Sequence, residues 1–180
     1  MWHEILALDL ATRSGWARGA PGERPLYGSV QFGKPEASNN AVFAHALTWT
    51  STFLESKPRP TVIIIEGLLP YYAKQGETSQ RTRDRLSGLH AIVRAVAYLR
   101  GIYEISTAGA QQVRRHFIGD GSLQRDAAKI AVINRCNKLG WNPVDDNAAD
   151  ALALWDFACC VMNPELSIKR TPLFNKELRA

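Results

Sequence analysis

The chain has 180 residues, 46% of them hydrophobic, and a formal charge of +5. A chain of this size buries about two-thirds of its unfolded surface, so one domain is expected, with no call for disulfides or a structural metal. The positive balance favours a polyanionic partner, while the lack of a leader-like start or of an apolar run near the roughly 18 residues of a membrane span predicts a soluble, cytoplasmic protein without membrane association.

His3 to Asp9 alternates and then runs apolar, as a central strand that ends on an acid. Ala11 to Gly15 is expected as a turn, Trp16-Ala17-Arg18 as the start of a second strand, and the alternation Leu26, Gly28, Val30, Phe32 as a third. Short connections make these three an antiparallel meander. Asn39 or Asn40 can cap a helix with Val42, Phe43, Ala46, Leu47 and Phe53 on its apolar face, closed by Pro58 and Pro60. The β-branched run Thr61 to Ile65, followed by Glu66, has the composition of a strand buried on both faces. Gly67 to Thr78 is loop-like. Leu86, Leu89, Ile92, Val93, Val96 and Leu99 then carry helical spacing up to Gly101, and Ile102 to Ser106 is a short fifth strand.

Helices are expected over Gly109 to His116, from about Gln124 to Leu139, and from near Asp145 to a stop before Pro164. The domain spans 1–163, and 164–180 is a polar, basic tail expected to be partly disordered. The fold class is α/β, a mixed five-stranded sheet flanked by α-helices. Three cysteines, Cys136, Cys159 and Cys160, offer neither a CxxC pair nor a Cys/His cluster of zinc spacing, and read as small buried side chains in a reducing compartment.

The chemistry lies in four acids. Asp9 and Glu66 each end an apolar strand, and the crevice beyond strand ends is where α/β sheets take ligands. Asp146 and Asp150 stand four residues apart, on one face of a helix. Converging carboxylates repel and take up protons unless a hard cation sits among them, so convergence implies Mg²⁺, with Mn²⁺ able to substitute. Two such ions can stabilise the attacking water and the leaving oxygen of a phosphodiester. No Ser/His/Asp or Cys/His arrangement offers a covalent nucleophile. Structural roles compete at each position. Asp9 alone would serve as a turn residue, and Asp145, Asp146 and Asn147 are all good N-caps, so at least one of these three is structural. Glu66 would be costly to bury without a partner.

Ile5 to Ala17, with Asp9, Thr12, Arg13 and Gly15-Trp16, resembles the first motif of the RuvC-type Holliday junction resolvases. Val62 to Gly67 resembles their second motif, and Asp145 to Leu154, with Asp150-Ala151-Leu152-Ala153, their last. Gly119-Asp120-Gly121 and the helix holding Asp126 and Lys129 are similar to the segment that precedes it. The likeness runs to about Val161 and implies an RNase H-like fold, with Asp9, Glu66 and Asp150 as metal ligands. Asp146, the better carboxylate, is expected as the fourth ligand, with Asn147 as the alternative ligand or water-holding group. Pro70-Tyr71-Tyr72 and the Gln/Thr/Arg-rich segment depart from the bacterial pattern and look more like phage or prophage members.

Phosphate contacts are expected from Lys74, Arg81, Arg83, Arg85, Arg114, Arg115 and Lys129, with Gln75, Thr78 and Gln80 alongside. Tyr71 and Tyr72 could stack on an unpaired base. A four-way junction is cut on two opposed strands, which a C₂ homodimer does most simply. The resemblance implies that Gln80 to Leu99 forms the interface. Rival expectations are a nuclease for flaps, other branched DNA or RNA/DNA hybrids, and a DNA-binding module without catalysis. A sugar-kinase or actin-like ATPase needs a second domain and a Gly-rich phosphate loop that this chain lacks.

Overall fold

A computed structural model describes residues 3–68 and 80–165. In chain order the elements are β1 (Ile5–Asp9), β2 (Arg13–Gly19), β3 (Leu26–Gln31), α1 (Asn39–Phe53), β4 (Val62–Glu66), α2 (Gln80–Leu99), β5 (Glu104–Ala108), α3 (Ala110–Ile118), α4 (Arg125–Lys138) and α5 (Asp146–Met162). The five strands form one sheet in the order β3-β2-β1-β4-β5. β1, β2 and β3 pair antiparallel, whereas β4 and β5 run parallel to β1. The expected α/β class and mixed sheet are therefore present.

The pleat divides each central strand between two cores. Ile5 and Ala7 of β1, with Val62 and Ile64 of β4, join the core beneath α3, α4 and α5. Leu6 and Leu8, with Ile63 and Ile65, join the core beneath α1 and α2. Both strands are thus buried on both faces, which is why their sequences run apolar without alternation. Carried one step further, the same period of two turns Asp9 and Glu66 toward the α5 side. β1 and β4 are paired parallel with Leu8 opposite Ile65, so the two acids end neighbouring strands at the same level.

α5 lies across that face and is apolar almost all round, with eleven of its residues buried, Ala148, Ala149, Ala151, Ala153 and Ala158 among them. Small side chains let a helix sit close to a sheet. The closest approach is at Gly15, opposite Asp9 in the β1–β2 register, where a Cβ would stand 1.8 Å from the Asn147 carbonyl oxygen.

Boundaries differ from expectation at α1, β2 and β5: α1 is capped by Ser38, whose side chain accepts from the Ala41 N–H, in place of Asn39 or Asn40. β2 begins at Arg13, because Arg13 pairs with Gln31 of β3; the turn shrinks to Leu10–Thr12, closed by Ser14 Oγ, which donates to the Ala11 carbonyl and accepts from the Ala11 N–H. β5 begins at Glu104, because Ile102 is consumed in ending α2: Gly101 adopts φ +73° and the Ile102 N–H returns to the Ala97 carbonyl, a Schellman-type stop. Asp145 is the N-cap of α5, its carboxylate accepting from the Ala148 N–H at 2.9 Å. The three cysteines are free and buried, and no helix among the described residues is long and apolar enough to cross a membrane.

Gly15→Ala forces α5 away from β1 and β2. It is expected to cost roughly 2–3 kcal/mol, read as a fall of several degrees in Tm; an unchanged Tm would mean that α5 does not need this approach.

Candidate active site

Asp9, Glu66, Asp146 and Asp150 share one electrostatic environment. Asp9 is half-buried and its carboxyl is held well above the ordinary range, first by burial and then by the charges of Glu66, Asp150 and Asp146, with Lys129 opposing. Burial and the charge of Asp150 push Glu66 up to about 7 against the pull of Arg114. Asp150 is raised by burial and by Asp146, while Arg114, Lys129 and Arg125 pull it down. No three of these acids bring ligand oxygens within 4.8 Å of one another, so the four do not converge on one point.

Asp146 behaves differently. Lys129 Nζ donates to its Oδ2, and that bond holds the carboxyl below its usual range despite some burial. Asp146 therefore sits at the rim as one half of an ion pair, a more exposed position than those of the other three. Asn147 donates Nδ2 to Asp146 Oδ1 at 3.4 Å, and its carbonyl is the group that meets Gly15. Burial would raise Asp145, but the Ala148 N–H, Ser29 Oγ and Arg13 hold it low. Ser29 Oγ and Arg13 Nε each donate to its Oδ2 at 2.7 Å, so the start of α5 is tied to β2 and β3.

The basic residues fall into distinct groups. Arg114 on α3 and Lys129 on α4 stand at the acid cluster itself, where their charges act on Glu66, Asp9 and Asp150. Arg115 is exposed on α3 and Arg83 is half-buried on α2. Arg81 donates to the carbonyls of Glu36 and Ala37 at 3.1 and 2.7 Å. Arg85 departs from its expected place on a DNA-facing surface. It is 8% exposed, and it donates to Asn39 Oδ1 at 2.9 Å, Thr12 Oγ1 at 2.8 Å and the Ala37 carbonyl at 2.7 Å. It is a clamp between α2, the approach to α1 and the turn after Asp9. Tyr71, Tyr72, Lys74, Gln75 and Thr78 lie outside the described residues, as does 166–180.

Two supports escaped the sequence. His90 of α2, 8% exposed, is hydrogen-bonded to the backbone of Glu66; burial and Arg94 lower its pKa against that bond. Nothing in its helical spacing distinguished it from an ordinary core position. The Arg13–Ser29–Asp145 contacts were equally hidden, although Asp145 was legible as a cap.

No protein-family model matches the chain, and no curated protein matches it in sequence. Solved structures do match. RuvC of Thermus thermophilus superposes with a TM-score of 0.63 at 18% identity, covering 88% of this chain and 95% of the other. The chain has the RuvC-type, RNase H-like fold. T. thermophilus RuvC in complex with a Holliday junction substrate gives a TM-score of 0.64 at 19% identity over 84% of this chain and 90% of that one. The yeast mitochondrial Holliday junction resolvase Ydc2 gives 0.58 at 10% identity over 93% and 84%. The acid cluster of this chain is thus carried on a RuvC-type sheet.

Because burial and the charge of Asp150 push Glu66 up to about 7 from the ordinary glutamate value of 4.5, the native protein binds more protons than the unfolded chain between those values. Stability falls as pH rises through that window. In EDTA, Glu66→Gln should therefore raise Tm by several degrees near pH 8 and change it little near pH 5; equal effects at both values would disprove the upward shift of Glu66. Arg85→Met should lower Tm while leaving the salt dependence of DNA binding unchanged, whereas a phosphate contact would reduce the salt slope by about one.

Proposed function

We propose that this chain is a metal-dependent, structure-selective endodeoxyribonuclease that resolves four-way DNA junctions by paired phosphodiester hydrolysis. The observation that carries the reading is the set of neighbouring strand-end acids, Asp9 and Glu66, facing Asp150 of α5 on a fold shared with RuvC. An all-oxygen, anionic donor set suits a hard cation. The raised pKa values of Asp9, Glu66 and Asp150 give further support: burial is their first cause and neighbouring carboxylate charge adds to it, and a divalent ion favours the ionised form against both.

Asp9, Glu66, Asp150 and the rim carboxylate Asp146 would hold Mg²⁺, or Mn²⁺ in its place, with Asn147 beside Asp146. Bound there, the ions supply a water activated for attack and charge stabilisation at the leaving oxygen. The chain's own cations do complementary work. Arg114 and Lys129 offset part of the acid charge and stand where a DNA phosphate approaching the cluster would meet positive charge. Lys129 must share itself between Asp146 and that phosphate, so DNA binding and release of Asp146 are coupled. His90 and the Arg13–Ser29–Asp145 contacts hold Glu66 and the start of α5 in place.

Arg81, Arg83 and Arg115 extend the positive surface, with Tyr71, Tyr72 and Lys74 as further DNA contacts. We read the working unit as a homodimer with one site per protomer, joined through α2. At the end of that helix Tyr98 and Leu99 are 68% and 82% exposed, apolar surface of the kind an interface covers.

A synthetic four-way junction, with flap, duplex and RNA/DNA-hybrid controls, tests this in Mg²⁺ and in EDTA. Symmetric paired nicks are expected in Mg²⁺ only. Asp9→Asn should lose at least about 100-fold, since changes in the shell outside the ligands alone cost 10- to 100-fold. Cutting confined to flaps or hybrids would discard the junction and keep the chemistry, and binding without cleavage under either ion would leave a DNA-binding module.

A further inference from the structure

At the far end of α5 from the acid cluster lies a second group of ligating side chains. Asp156 and Cys160 are four residues apart and project from one face of the helix, and His116 reaches that face from the last turn of α3. His116 Nε2 is 3.1 Å from Asp156 Oδ2, and one ligating atom from each of the three lies within 4.8 Å of the other two. Among the described residues this is the one trio of His, Cys and acid that closes to that spacing. The sequence offered no Cys/His cluster of zinc spacing; the fold makes one from residues up to 44 positions apart in the chain.

We propose that His116, Asp156 and Cys160 form a Zn²⁺ site that fastens α3 to α5, separate from the Mg²⁺ carboxylates and independent of the nuclease reading. The donor set decides the ion: nitrogen, oxygen and sulfur together suit Zn²⁺, whereas Mg²⁺ requires oxygen alone. Bonds of about 2.0–2.3 Å in a tetrahedron place ligating atoms about 3.3–3.8 Å apart. The imidazole and carboxylate, 3.1 Å apart, need to part by a few tenths of an ångström, and the thiol, within 4.8 Å of both, needs to move by no more than about 1.3 Å. Asp156 and Cys160 are 4% and 5% exposed, so the ion would be shielded on the helix side. His116 is more open, with 17% of its side chain accessible, which leaves an entry path and a fourth position for water.

Charge opposes the ion in part: burial lowers the pKa of Arg135 against the support of the Asp156 carboxylate beside it, and its positive charge already faces the group. A Cys160 thiolate supplies the second negative charge that makes a dication favourable there. Binding exchanges the Cys160 S–H proton for an S–Zn bond and releases that proton to solvent. A protonated His116 would release another. Affinity therefore falls as pH falls.

The full chain, stripped of metal with a chelator, is titrated with Co²⁺ as a spectroscopic probe and then with Zn²⁺. A thiolate-to-cobalt charge-transfer band should saturate at one equivalent, disappear when Zn²⁺ is added, and persist in excess Mg²⁺. It should be lost in Cys160→Ser and retained in both Cys159→Ser and Asp9→Asn, the latter separating this site from the carboxylates. His116→Gln, at a partly exposed position that the fold tolerates more readily, should weaken Co²⁺ binding at least about tenfold. Zn²⁺ should raise the Tm of the unsubstituted chain and not that of Cys160→Ser. Absence of the band in the unsubstituted chain, its survival in Cys160→Ser, or an unchanged affinity in His116→Gln would overturn the proposal and leave a His116–Asp156–Arg135 charge network. None of these results bears on cleavage.

Discussion

The approach of α5 to the edge shared by β1 and β2 is the constraint on which the site depends. A helix backbone can meet a strand this closely only where the strand lacks a side chain, and Gly15 provides that place beside the Asn147 carbonyl. From there α5 runs chiefly over β1 and β2 on a bed of alanines, which brings Asp150 into the field of Asp9 and Glu66. The cap contacts of Asp145 with Arg13 and Ser29 fix the same end laterally. Packing and chemistry are thus set by one contact, and a helix displaced outward by one methyl group would separate the acids from each other.

The arrangement works against stability. Burial and neighbouring carboxylate charge hold the pKa values of three half-buried acids high, and the folded chain bears the cost of ionising them. Arg114 and Lys129 relieve part of it, and a hard cation would relieve more. The two apolar cores tolerate this burden, because each central strand is sandwiched on both faces and the sheet does not rely on the acid end for cohesion. Function is concentrated where the fold gains least from it.

Much of this was readable from residue order. Apolar runs ending on acids located Asp9 and Glu66, and helical spacing located Asp146 and Asp150, because both signals are local. What escaped depends on pairings far apart in the chain. Arg85 looked like its basic neighbours, and its burial follows from the Ala37 carbonyl, Asn39 and Thr12 meeting beneath it. The Lys129–Asp146 pair, the Arg13–Asp145 contact and the His116–Asp156–Cys160 trio are likewise products of topology. β5 began two residues late for a related reason: Ile102 has strand-forming chemistry, but the stop of α2 claimed its N–H first.

The pleat has a consequence for how such a chain can diverge. Asp9 and Glu66 reach the α5 side because an even count separates them from Ala7 and Ile64, whose side chains face that way. Replacing one apolar residue by another within β1 or β4 preserves the count, whereas inserting or deleting a single residue before either acid reverses it and sends the carboxylate to the α1–α2 side. The fold is shared with solved structures at 10–19% identity; within it the apolar side chains of β1 and β4 are free to change, and the residue count before each acid is not. What the architecture holds constant is parity.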